Sequence, residues 1–348
     1  MPPRIFATGT TGYVGGDILH ALLEAHPWWE EYITCLARST TRGAALLAAY
    51  PKIRVVYGDL NDSAIIEEEA SKADIVLHFA SSDHVGAASA IKRGMEKGVG
   101  GYWIHTSGTD ILLNPKILGG GRDDDGEVKV YDDWDHVEEL VSFPDAHSHR
   151  PCDKVVLSTS SEKVKTAIIC PPTIWGKGRG SGSTRSHQIY EIARLTLEKG
   201  CKIQLLPTEF PKSFWPNIHI YDLARLYMEV IDSALAELQA KKAKATWNKK
   251  GYYFAENGVH YWQDVADWVA NDAGKQGFLK SQDGEAKVIE MSELLKATGP
   301  APLNMGATCK SYRAEKLFGW KPKEGDLRDE IANIVRSEAE RAGLGKVA

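Results

Sequence analysis

Three glycines, Gly9, Gly12 and Gly15, recur at every third position in Thr8-Gly9-Thr10-Thr11-Gly12-Tyr13-Val14-Gly15. A short apolar run, Arg4 to Thr8, precedes them. A helical spacing of Ile18, Leu19, Leu22 and Leu23 follows within 17–25. Few folds break a strand on glycine immediately ahead of a helix. Gly9 permits a tight turn with positive φ. Gly12 lets the backbone approach a diphosphate, and Gly15 lets the helix pack close to the sheet. The unpaired N–H groups and positive dipole end of the helix then favour an anion. Gly9, Thr11, Gly12, Tyr13, Val14 and Gly15 are therefore expected to hold a dinucleotide. The spacing is not the common G-x-G-x-x-G. Its position between a strand and a helix near the start of the chain gives it weight.

The rest of the first half supports a parallel sheet. Residues 32–37, 53–57, 74–80, 102–106 and 165–170 read as strands, and 44–49, 65–70, 87–97 and 153–160 as helices. Such alternation predicts βαβ units and an α/β, doubly wound Rossmann sheet over residues 1–175. Residues 119–126, glycine-rich with three aspartates, read as a mobile loop, because the alternating ligand spacing of a calcium loop is absent. Gly176 to Gly182 reads as a flexible basic connector, and Phe210 to Trp215 is aromatic and punctuated by proline. Helices are expected over 187–199, 222–236 and 262–271, and a strand over 251–255. Segments 176–216 and 258–348 are read as a smaller mixed α/β substrate domain, with 217–257 returning to the first.

Composition narrows the function. With 42 basic and 47 acidic residues the net charge is −5, which gives no basic footprint for nucleic acid. No apolar run reaches the roughly 18–20 residues of a membrane span. The five cysteines have no framework spacing, so reduced thiols and a cytoplasmic location are expected. His147-x-His149 lacks a third ligand, so no metal is expected.

The end of the second predicted strand reads Leu36-Ala37-Arg38-Ser39-Thr40. NAD enzymes place an acid there for the ribose 2′-hydroxyl. Arg38 cannot accept, but its planar fork suits a 2′-phosphate, with Ser39 and Thr40 as further donors. NADP is therefore expected over NAD. The alternative is that Arg38 stacks on adenine or lies in solvent. Asp59, Leu60, Ala80 and Ser81 follow the next strands and should line the same crevice.

These residues carry a family resemblance. The glycine turn, Gly58-Asp59-Leu60 and Phe79-Ala80-Ser81 resemble the extended and atypical short-chain dehydrogenase/reductases, epimerase/dehydratase-like and NmrA-like. Pro171-Pro172-Thr173-Ile174-Trp175-Gly176, Asn217-Ile218-His219-Ile220-Tyr221-Asp222 and Tyr252-Tyr253-Phe254-Ala255 agree with it, across roughly residues 4–270. The resemblance implies a Rossmann domain, a substrate between two domains, Pro172 beside the cofactor and a homodimer through helices near 87–97 and 153–160. It also implies a Ser or Thr after the fifth strand and a Tyr-x-x-x-Lys pair on the next helix. Ser107 fits the first. Lys154 matches the lysine, but the tyrosine position is then Arg150, and a shift of one residue pairs His149 with Asp153. Arginine can stabilise an oxyanion but is a poor proton shuttle, whereas histidine titrates near neutrality.

Three readings stay open: His149 or a distant tyrosine such as Tyr131 replaces the acid, Arg150 acts electrostatically, or the site is silent. Arg150 could also simply pair with Asp153. Asp83 and His84 are expected to face the substrate, with Asp83 alternatively capping a helix. Trp175, Arg179, Phe214, Trp215 and His219 would line a site for a flat or apolar molecule or pack in the core. The functional readings are an NADP-dependent oxidoreductase acting on a small-molecule carbonyl or alcohol, a non-catalytic NADP-binding regulator, and an epimerase or dehydratase.

Overall fold

Seven parallel strands form the central sheet, in the order β3-β2-β1-β4-β5-β7-β11. They are β1 (Ile5–Thr8), β2 (Ile33–Ala37), β3 (Arg54–Tyr57), β4 (Ile75–His78), β5 (Gly101–Thr106), β7 (Val164–Cys170) and β11 (Tyr252–Phe254). The computed structural model describes residues 2–113, 129–205, 213–279, 287–289, 293, 296–297 and 306–345. The glycine-rich insertion at 119–126 and residues 210–212 lie outside the described residues.

Near-continuous apolar runs suit strands covered on both faces. On one face Phe6, Val76, Trp103 and Ile168 meet α3 (Ser63–Lys72), α4 (Val85–Lys97) and α6 (Arg150–Ser158) through Ile66, Ile91, Met95 and Val156. On the other, Ile5, Leu77, Ile104 and Ile169 meet α1 (Tyr13–Ala25) and α8 (Ile220–Leu238) through Ile18, Leu22, Leu226 and Val230. The strand predicted over 251–255 returns as the seventh strand, β11, beside β7.

Outside this sheet, β8 (Thr173–Trp175), β10 (Phe214–His219) and β12 (Val259–Tyr261) form a small mixed sheet. Helices α7 (Gln188–Lys199), α9 (Trp262–Lys275) and α11 (Leu327–Arg341) contribute Ile192, Val269 and Val335 to the first core.

Two features depart from the sequence reading. Helix α1 starts at Tyr13, directly on the glycine turn. The stretch 176–182 is no free connector: Arg179 makes three hydrogen bonds to the buried Asp17 carboxylate, at 2.8, 3.0 and 2.8 Å. Alternate glycines let this strap press on α1. A Cβ at Gly180 would lie 2.7 Å from the Gly16 backbone, and one at Gly182 would lie 2.2 Å from the Thr11 carbonyl oxygen.

Candidate functional site

β1 pairs with β2 on one side and β4 on the other. This is the switch point of a doubly wound sheet, where a crevice opens at the strand ends. The glycine turn fills its floor. Gly9 has φ +78°, and a Cβ there would meet the Phe79–Ala80 peptide at 2.7 Å. A Cβ at Gly15 would lie 2.5 Å from the Gly9 carbonyl oxygen and 2.9 Å from Phe79 Cβ. Gly12 donates to the Gly9 carbonyl at 2.9 Å and is the N-cap of α1. The first-turn N–H groups of Tyr13 and Val14 thus have no carbonyl four residues back to pair with.

The crevice encloses about 440 Å³. It is lined by Gly9, Thr11, Gly12, Arg38, Asp59, Leu60, Ala80, Ser81 and His84, and by Arg42, Asn61 and Phe79, which the sequence reading did not select. Arg38 is exposed and makes no hydrogen bond or ion pair among the described residues. Arg42 reaches only Thr11 Oγ1, at 3.4 Å. Ser39 is committed otherwise, capping α2 (Thr40–Ala49) by accepting from the Arg42 N–H. Asp59 Oδ1 is held by the Asn61 N–H at 2.6 Å. A glycine-built turn at the helix start, with two arginines that have no acid partner among the described residues in the same crevice, fits a dinucleotide phosphate chain.

The second part of the site stands at the ends of β4 and β5. Ser107 Oγ lies 2.9 Å from Asp153 Oδ2, both buried. One turn before Asp153, His149 is the N-cap of α6 with left-handed backbone (φ 61°). Its Nδ1 meets Asp83 Oδ1 at 2.9 Å and Ser82 Oγ at 3.0 Å. Its Nε2 would lie only 2.8 Å from a Cβ at Gly108, so glycine makes room for the ring beside Ser107. Burial opposes charge on His149. The hydrogen bond and charge of Asp83, the largest of the opposing causes, help to outweigh it, and the pKa is raised. The same pairing holds the Asp83 carboxyl below its ordinary range. Burial raises Asp110 above its own range.

The helix α6 thus turns His149 and Asp153 toward Ser107, and turns the alternative register away. Arg150 Nε donates to the Phe143 carbonyl at 2.7 Å, and Lys154 Nζ is exposed beside Asp145, also at 2.7 Å. Neither joins Ser107, and Arg150 is not paired with Asp153. His147 is spent on the Ile111 carbonyl and stacks on Phe143. Tyr131 lies edge-on to the same Phe143 ring.

Of the residues expected on the substrate side, Asp83 faces His149. His84 instead caps α4 by accepting from the Ala87 N–H and contacts Asn61. Trp175 and His219 form a buried structural lock: Trp175 Nε1 donates to Asn217, its ring lies edge-on to His219, and His219 caps α8. Arg179 holds the strap, and Trp215 is fully buried. Phe214 packs beside Tyr261. Pro172 and Tyr13 line a second cavity of about 380 Å³, with Ile174, Ser183, Ser186 and His187. No group of three or more metal-ligating side chains occurs among the described residues, and no described helix is long and apolar enough to cross a membrane.

The profile of the NAD dependent epimerase/dehydratase family matches residues 5–100. The chain is 33% identical to the oxidase ucsJ of an Acremonium species, over 99% of this chain and 100% of that protein. Among solved structures, UDP-glucose 4-epimerase from Thermotoga maritima superposes with a TM-score of 0.65 at 11% identity, covering 97% of this chain and 99% of that one. The dTDP-glucose 4,6-dehydratase DesIV from Streptomyces venezuelae, solved with NAD bound, gives 0.65 at 16% identity over 98% of each. These two likenesses are of fold.

Proposed function

Because the chain belongs to the NAD-dependent epimerase/dehydratase family of extended short-chain dehydrogenase/reductases, we propose that it is an NADP-dependent oxidoreductase acting on a carbonyl or alcohol of a small organic molecule. In this reading His149 does the proton work that a tyrosine does elsewhere in the family. The observation that carries it is the placement of His149: its Nδ1 is fixed by Asp83 and its Nε2, which makes no hydrogen bond among the described residues, points at Gly108 beside Ser107. The similarity to a protein named an oxidase favours redox chemistry.

The glycine turn would hold the diphosphate of the cofactor. Arg38 and Arg42 would take the 2′-phosphate, and Ala80 and Ser81 would line the way toward the reacting end. The cofactor supplies hydride transfer to or from the substrate carbon. Ser107 orients the substrate oxygen. His149 gives that oxygen a proton in reduction and removes one in oxidation, and general acid–base help of this kind contributes about 10²–10⁴-fold. Asp83 keeps the ring oriented. The position of Lys154, away from Ser107, favours the second reading, a protein that binds NADP without turning anything over.

Fluorescence titration with NADPH and NADH tests the cofactor half. NADPH binds tighter, and Arg38→Asp weakens it by at least roughly tenfold, about 1.4 kcal/mol. Tighter binding of NADH removes the argument. A screen of NADPH consumption over aldehydes, ketones and quinones tests the chemistry. Turnover that His149→Gln lowers by about 10²-fold or more supports it; binding with no turnover leaves the non-catalytic reading.

A further inference from the structure

Beneath Ser107 a line of buried polar side chains crosses the sheet. His78 at the end of β4 and His105 on β5 face each other, Nδ1 to Nδ1, at 3.0 Å. His105 Nε2 stands 3.6 Å from Asp153 Oδ1, and Asp153 Oδ2 is 2.9 Å from Ser107 Oγ. Both histidines are 0% exposed and Asp153 is 1%. His78 Nε2, His105 Nε2 and Asp153 Oδ1 have no hydrogen-bond partner among the described residues.

The groups around Asp153 are few. From α6 they are His149, Cys152 and Arg150, whose Nε is engaged by the Phe143 carbonyl while its buried Nη1 has no hydrogen-bond partner among the described residues. From β5 and the residue after it come His105 and Ser107. β7 offers Cys170, and β11 offers Tyr252, whose hydroxyl is 3.5 Å away. Among the described residues no Lys or Arg forms an ion pair with the carboxyl; the charges of His149 and Arg150 lower its pKa, but less than burial raises it. A buried carboxylate without an ion-pair partner is costly, and the usual escape is to take up a proton. Burial accordingly raises the Asp153 pKa to about 7 and leaves both histidines neutral.

That choice sets which way the hydrogen bond between Asp153 and Ser107 runs. An ionised Asp153 only accepts, so the Ser107 hydroxyl must point down at it. A protonated Asp153 donates to Ser107 Oγ, which frees the serine hydrogen to point up into the crevice. Below, His105 with its hydrogen on Nε2 faces Oδ1, and its Nδ1 accepts from His78 Nδ1–H.

We propose that Asp153 is a positioning residue that holds a proton and thereby turns the Ser107 hydroxyl outward as a hydrogen-bond donor to the substrate oxygen. The role given to Ser107 rests on the reductase reading; the proton on Asp153 does not. No proton leaves Asp153 in this device. When pH rises and the carboxyl ionises, Ser107 turns back and the crevice loses a donor.

The proton is tested on the full-length protein without cofactor, by infrared titration of the carboxylic C=O stretch. A protonated-acid band is expected below neutrality, vanishing as pH rises through about 7 and missing in Asp153→Asn. Absence of any band sensitive to this substitution overturns the proposal, whether or not the chain is an enzyme.

The orientation is tested on whatever turnover the screen finds. Asn donates to Ser107 Oγ at all pH values, so Asp153→Asn should keep kcat within about threefold. Asp153→Ala should lose about 10²-fold, the scale of a lost donor to a reacting oxygen. Replacement by Asn should also make the alkaline fall in activity less steep, leaving the His149 titration. An Asn variant as impaired as the Ala variant, or one with an unchanged pH profile, refutes the outward hydroxyl. With no turnover in the screen, the reductase reading fails and the infrared result alone decides the proton.

Discussion

The strap over the glycine turn should depend on one buried charge pair, and the two halves of that pair should not be equal. Asp17 is 0% exposed on α1, while Arg179 is 28% exposed. Truncating Arg179 to Ala leaves a carboxylate in the core with, among the described residues, only the residue-179 backbone N–H as hydrogen-bond partner. Leaving a buried charge uncompensated costs about 3–5 kcal/mol. Truncating Asp17 to Ala strands a guanidinium that still reaches water, lies 4.2 Å from the centre of the Tyr221 ring and sits 3.8 Å from Glu24. That loss should stay near 1–3 kcal/mol, the range for orphaned hydrogen-bond groups (about). The double variant no longer buries a lone charge and should be more stable than Arg179→Ala alone. At roughly 2.1 cal/mol/K of unfolding entropy per residue, the arginine variant should melt about 4–7 °C below the parent. Denaturant midpoints of the four proteins give the comparison. The strap also donates from the Ser183 N–H to the Thr11 carbonyl at 3.1 Å, so NADPH affinity should fall in the same order as stability. A double variant no better than Arg179→Ala would refute the asymmetry.

Three further outcomes follow from the same geometry. Asp83→Asn removes the partner that opposes burial at His149, so the His149 titration, followed by NMR of its ring, should move to lower pH; an unmoved titration refutes the pairing. The folded value of His149 is raised, so its stabilising contribution is present at acid pH and lost as pH rises through that value. Asp83→Asn should flatten this part of the pH–stability curve. Gly15→Ala puts a Cβ 2.5 Å from the Gly9 carbonyl oxygen and 2.9 Å from Phe79 Cβ. It should weaken NADPH at least roughly tenfold, and an unchanged titration would show that α1 can shift freely.

Much of the sheet was legible because apolar runs and glycine breaks are local signals. The glycine turn was legible for the same reason. The strap was not. Its glycines read as flexibility, because sequence shows neither that their missing side chains face the backbone of Gly16 and Thr11 nor that Arg179 has a buried acid 162 positions away. The elements after Lys275 escaped as well. β14 (Thr308–Lys310) finds its pairing only with β6 (Val130–Asp132), far back in the chain.

The helix α6 held a signal that the family pattern obscured. Two pairs at the same spacing compete there, His149 with Asp153 and Arg150 with Lys154. Spacing cannot separate them, because each pair shares a face of its own. Neighbouring residues can. Cys152 and Val156 are the fully buried apolar positions of the helix, and with 149 and 153 they make the i, i+3, i+4, i+7 stripe of a core-facing helix. Positions 150 and 154 sit about 100° round from it, the turn of a single residue. The apolar stripe therefore selects the histidine–aspartate register. Matching lysine to lysine favours the other pair, because a charged residue gives no weight to the packing that must carry it. The residue type that the family expects was kept in the chain but moved to the outer face, where Lys154 meets Asp145. The position facing Ser107 received an acid instead, and an acid there needs either a cation or a proton. Among the described residues no Lys or Arg forms an ion pair with it, and burial outweighs the nearby charges of His149 and Arg150, so the register of one short helix makes the protonation of Asp153 the quantity to measure first.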